Sequence, residues 1–137
     1  MRDAFKYLTS LFFAALLVQF ALAAYGAFHA VDTAKDGKAT KDAVEHGFSA
    51  HVALGWVIVV VLLLLVIVAA VGRLGSPWLQ MSGGLLVAGI LQVPFAALGR
   101  SVAALGFLHG VNAVAIYAVA ALLAHRAWTR RPDAVAV

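Results

Sequence analysis

Charged residues cut the chain into four long apolar blocks. None falls between Lys6 and Asp32, between Glu45 and Arg73, between Arg73 and Arg100, or between Arg100 and Arg126. Each interval holds about 25 residues, and a helix needs roughly 20 to cross the hydrocarbon core of a bilayer. Within the blocks the apolar residues follow neither the alternation of a strand nor the one-sided stripe of a soluble helix. The run 57–71 is aliphatic without a break. A segment hydrophobic all round is a buried or membrane helix. The pattern predicts helices over 7–29, 48–71, 78–98 and 102–124. The third contains Gly83, Gly84, Gly89 and Pro94, residues that membrane helices tolerate when neighbouring helices satisfy the backbone.

The connections set the topology. A polar stretch over 31–45 carries Asp32, Asp36, Gly37 and Thr40, and its 42–45 end resembles a helix start. The other two, around Gly72–Pro77 and Gly99–Ser101, are short. Short connections make successive helices antiparallel neighbours, so the expected fold is all-α: an up-down-up-down bundle of four transmembrane helices in one domain.

Composition sharpens this reading. Of 137 residues, 64% are hydrophobic and 12% charged, which excludes a disordered chain and an ordinary soluble enzyme. Cysteine is absent, so disulfides and thiolate chemistry are excluded. The net charge of +4 sits at the block ends rather than on a basic face, so it sets orientation and implies no nucleic-acid partner. One side carries Arg2, Lys6, Arg73, Arg126, Arg130 and Arg131, and the other Lys35, Lys38, Lys41 and Arg100. The richer side predicts cytoplasmic termini, an external 31–45 segment and a short cytoplasmic tail over 126–137, in a bacterial inner membrane. The first block also has the form of a signal peptide with a cleavage site at Ala21-Leu-Ala23.

An internal repeat argues for keeping that block. Gln19-Phe-Ala-Leu-Ala23-Ala24-Tyr-Gly26 and Gln92-Val-Pro-Phe-Ala96-Ala97-Leu-Gly99 share the pattern Gln-x-x-x-Ala-Ala-x-Gly. Each half continues to an intramembrane histidine, His51 or His109, with a small residue four positions on, Gly55 or Ala113. The expected arrangement is a parallel two-helix repeat about an axis along the membrane normal. It places His51 and His109 opposite each other.

Polar side chains inside a membrane are costly and mark function. Here they are Gln19, His51, Gln92, His109 and Asn112, with no carboxylate, Lys or Arg in any span, which demotes an ion or proton pump. Two facing imidazoles could ligate one haem iron. Small residues flanking them, Gly47 and Gly55 beside His51 and Gly106 and Gly110 beside His109, would admit the ring edge. Gln19, Gln92 and Asn112 would then surround the ligands. Counted to the arginine that follows each, however, His51 is 22 residues from Arg73 and His109 is 17 from Arg126. The implied depth difference is roughly 7–8 Å. The alternatives are a structural histidine pair, or another metal or quinone site. His29 and His46 read as solvated at the outer edge, and His125 as an interfacial anchor.

The elements Phe48-Ser-Ala-His51-Val-Ala-Leu-Gly55, Leu91-Gln92 and Leu108-His109-Gly-Val-Asn112 resemble a family of small uncharacterised four-helix bacterial membrane proteins. More loosely, the arrangement is similar to four-helix membrane haem proteins of the cytochrome b561-like kind and to one half of haem A synthase. That resemblance implies paired histidines on facing helices. The combined expectation is a haem b-binding or electron-transfer subunit rather than an enzyme. His51 and His109 would be metal ligands, with Gln19, Gln92, Asn112 and Gly55 around the cofactor. Its partners would be the lipid bilayer and a redox partner or larger membrane complex. The rival expectations are a structural or accessory subunit and a small transporter component.

Overall fold

The computed structural model describes residues 1–35, 37 and 40–129. Four helices fill them: α1 (Arg2–Lys35), α2 (Lys41–Val71), α3 (Ser76–Gly99) and α4 (Ala103–Thr129). All four are long and apolar enough to cross a membrane. The cytoplasmic tail expected over 126–137 falls mostly outside the described residues, as do Asp36, Lys38 and Ala39.

The helices outrun the apolar blocks. Most of the 31–45 stretch expected as a loop is helix. α1 runs on to Lys35. α2 starts at Lys41, where Thr40 caps it by accepting a hydrogen bond from the Ala43 amide at 3.2 Å. At its other end, Leu74 N–H donates to Ala69 and Arg73 N–H to Ala70. Arg73 there takes a φ of 48°, so a Schellman turn is closed by arginine at the position that favours glycine. Pro77 enters the first turn of α3, where a missing N–H does no harm.

Each helix packs against two neighbours, α1 on α2 and α4, and α3 on α2 and α4. Contacts such as Gly26 with Phe48, Gly99 with Gly106, and Trp128 with Ser10 show that sequential helices and the closing α1–α4 pair are antiparallel. The bundle is therefore a closed square, with α2 and α4 on one diagonal. Among the described residues thirty large hydrophobic side chains remain exposed, a surface suited to contact with lipid. The protein is an integral membrane helix bundle.

The core is confined to one end. Phe5, Phe12, Leu16, Ile58, Val61, Leu62, Leu65, Ala69, Leu85, Ile116, Ala120, Leu123 and Ala127 form a single cluster. All of it lies in the half that carries the termini. Beyond Leu16, Ile58, Gly89 and Ile116, away from the termini, only Gly26 and Gly47 are buried among the described residues. That half of the bundle thus has no close-packed centre, and the polar intramembrane residues stand there.

Candidate functional site

His51 and His109 meet across the α2–α4 diagonal, with ring centroids 6.4 Å apart and planes inclined at 63°. The depth mismatch counted to the arginines is absent. Their rings adjoin, and each Nδ1 meets the carbonyl of the equivalent glutamine on the neighbouring helix. Arg126 misleads as a depth marker because it reaches Met81, five residues into α3, and so lies inside the end of the bundle.

The two imidazoles are held alike. His51 Nδ1 lies 3.2 Å from the Gln19 carbonyl oxygen, and His109 Nδ1 lies 3.2 Å from that of Gln92. A carbonyl only accepts, so each Nδ1 carries the proton and donates it, leaving Nε2 as the lone-pair nitrogen. The contacts are equivalents in the repeat. Gly26 against Phe48 and Gly99 against Gly106 are a second equivalent pair: a Cβ on either glycine would lie 2.7 Å from an atom of the facing helix. The glutamine motif therefore does two things on α1 and again on α3. Its glutamine offers a carbonyl to the histidine, and its glycine, two turns on, lets the partner helix approach.

The amides complete the site unequally. Asn112 Nδ2 donates to the Ala88 carbonyl at 2.8 Å and to Gln92 Oε1 at 3.0 Å. Gln19 Nε2 donates to the His51 carbonyl at 2.8 Å and lies 3.4 Å from His51 Nε2. Gln19 Oε1 is buried with no partner. All five intramembrane polar residues singled out from the sequence thus converge at one level, and Gly55 joins them, 3.4 Å at its Cβ position from Gln19 Nε2.

The flanking glycines are used differently from the expectation that they admit a ring edge. Gly47 seats His29, Gly55 faces Gln19 and Gly106 faces Gly99, whereas Gly110 opens onto free space. Close helix approach consumes the small residues, because only glycine permits backbone contact. Among the described residues no group of three or more His, Cys, Asp or Glu is placed to hold a metal ion. Any metal at the centre must therefore bring most of its ligands with it. No family model, curated protein or solved structure matches the chain.

Sequence reasoning missed one pairing. His29 and His46, read separately as solvated, lie with ring centroids 6.3 Å apart, and His29 also stacks on Tyr25. The pair continues the α1–α2 contact of Gly26 with Phe48, where the numbers of facing residues have nearly the same sum.

Proposed function

We propose that the chain is a small integral membrane b-type cytochrome, an electron-transfer or haem-binding subunit with His51 and His109 as axial ligands of one haem b. The observation that carries this reading is the matched tethering of two imidazoles across the diagonal. Metal–imidazole bonds are about 2 Å long, so two imidazoles on opposite faces of one ion have ring centres about 6 Å apart. The rings here are 6.4 Å apart. Donation of Nδ1–H to a carbonyl is also the usual way a protein fixes a metal-binding histidine and raises its basicity. A macrocycle supplies four further nitrogens, which suits a centre where the protein offers only two.

The haem would contribute one-electron redox chemistry. The chain's own part is to orient both imidazoles, through main-chain carbonyls that no side-chain motion can withdraw. The dense inner half, from Phe5 to Leu16 and from Ile58 to Ala69, closes the site from the cytoplasmic side in this reading. The surplus of Lys and Arg at the termini supports a bacterial inner-membrane protein with both ends inside. A site in the outer half then exchanges electrons with a partner reached from the external side or within a larger membrane complex.

The test is optical. Full-length protein, expressed with a haem precursor supplied and purified in detergent, should show a Soret band and a low-spin reduced-minus-oxidised spectrum. His51→Ala and His109→Ala should each abolish it, and His46→Ala and His125→Ala should not. Wild-type protein without a Soret band overturns the proposal and leaves each imidazole as a structural clasp, His51 tying α2 to α1 and His109 tying α4 to α3.

A further inference from the structure

We propose that His29 and His46 form a separate, water-facing site for a divalent late first-row transition-metal ion, such as Zn²⁺ or Cu²⁺. The two rings come from different helices at the outer end of the bundle, with centroids 6.3 Å apart and planes inclined at 57°. His29 is not free to wander. It stacks on Tyr25 with centroids 6.0 Å apart and planes within 16°. It also rests on Gly47, where a Cβ would lie 2.7 Å from His29 Cδ2. Any other residue at 47 would displace the ring, and the neighbouring position is His46.

Two imidazoles on a tetrahedral ion have ring centres about 5 Å apart, and on a more open arrangement about 6 Å, given metal–nitrogen bonds of about 2 Å. The observed spacing is within a side-chain rotation of either. His46 is exposed and His29 half-buried, so water can complete the coordination, which the bilayer interior would not allow. Glu45 is engaged with Arg100 at 3.2 Å and Lys41 at 3.8 Å, and Asp32 with Lys35 at 4.0 Å, and among the described residues no carboxylate joins the two rings in a group of three. A two-imidazole set with no carboxylate favours the nitrogen-preferring end of the series over Mg²⁺ or Ca²⁺. The site is distinct from the central pair. His46 and His51 are five residues apart on one helix, roughly 140° around its axis. Occupancy would tie α1 to α2 beside the segment that joins them.

The experiment uses the tag-free full-length chain in detergent, titrated calorimetrically with ZnCl₂ alone. One ion should bind per chain. His29→Ala and His46→Ala should each weaken it by roughly tenfold or more, and His51→Ala should leave it unchanged. Electron paramagnetic resonance of the Cu²⁺ form should show two imidazole nitrogens, falling to one in either outer variant. Zn²⁺ affinity that survives both outer substitutions, or that is lost with His51→Ala, overturns the proposal. So does the absence of a stoichiometric site.

Discussion

Leu54 and Asn112 occupy equivalent positions in the two halves of the bundle, each three residues beyond the central histidine, and only Asn112 has an amide to offer. Gln92 Oε1 receives that amide, whereas Gln19 Oε1 is buried and unmet. An unsatisfied buried acceptor costs about 1–3 kcal/mol. Leu54→Asn should therefore be tolerated, or stabilise the fold by up to about 1 kcal/mol, despite placing a polar group in the membrane. Reversible unfolding in mixed micelles measures it, and a loss of more than 1 kcal/mol would show that the halves are not equivalent there.

Asn112→Leu makes the converse change. It removes the donor from both the Ala88 carbonyl and Gln92 Oε1. Interhelical bonds in membranes contribute on average ~0.6 kcal/mol each, so a loss of about 1–2 kcal/mol is expected in the same assay.

The glycines separate by what faces them. At Gly99 a Cβ would meet the Gly106 backbone at 2.7 Å, so neither helix can yield by a rotamer change. Gly99→Ala should cost about 1–3 kcal/mol, in the range of overpacked cores. Gly110 faces open space, and Gly110→Ala should be neutral or stabilising by about 0.5–1 kcal/mol through helix propensity. Equal effects at the two positions would contradict the α3–α4 crossing described here.

Holding the ligands through main-chain carbonyls has its own consequence. Gln92→Ala removes the side chain but keeps the carbonyl that accepts from His109 Nδ1. If haem binds, the low-spin spectrum should persist in Gln92→Ala while His109→Ala abolishes it. Loss of the spectrum in Gln92→Ala would assign the holding role to the side-chain amide.

Orientation is testable without any cofactor. Lys41 is exposed at the start of α2, and Lys41→Cys should react with an impermeant thiol reagent added to intact cells. Arg73→Cys, at the opposite end of α2, should react only after lysis. The reverse pattern would place the termini outside.

Four membrane helices were legible in the sequence because a bilayer imposes a length and forbids charge within it, and charge-free intervals display both. The site's members were legible too, since Gln19, His51, Gln92, His109 and Asn112 are the polar exceptions within apolar spans. Their geometry was not. Depth read from Arg126 was misleading, because a long arginine can sit a turn inside a helix end and still reach the interface. Which glycines face a helix and which face space depends on where the bundle's seams run, and composition carries no trace of that. The same holds for His29 and His46, brought together only because α1 and α2 continue as helices beyond their apolar blocks. The central pair was decided last of all. His51 and His109 face each other because four antiparallel helices close into a square with α2 and α4 on one diagonal, and a diagonal is a property of packing rather than of any one segment.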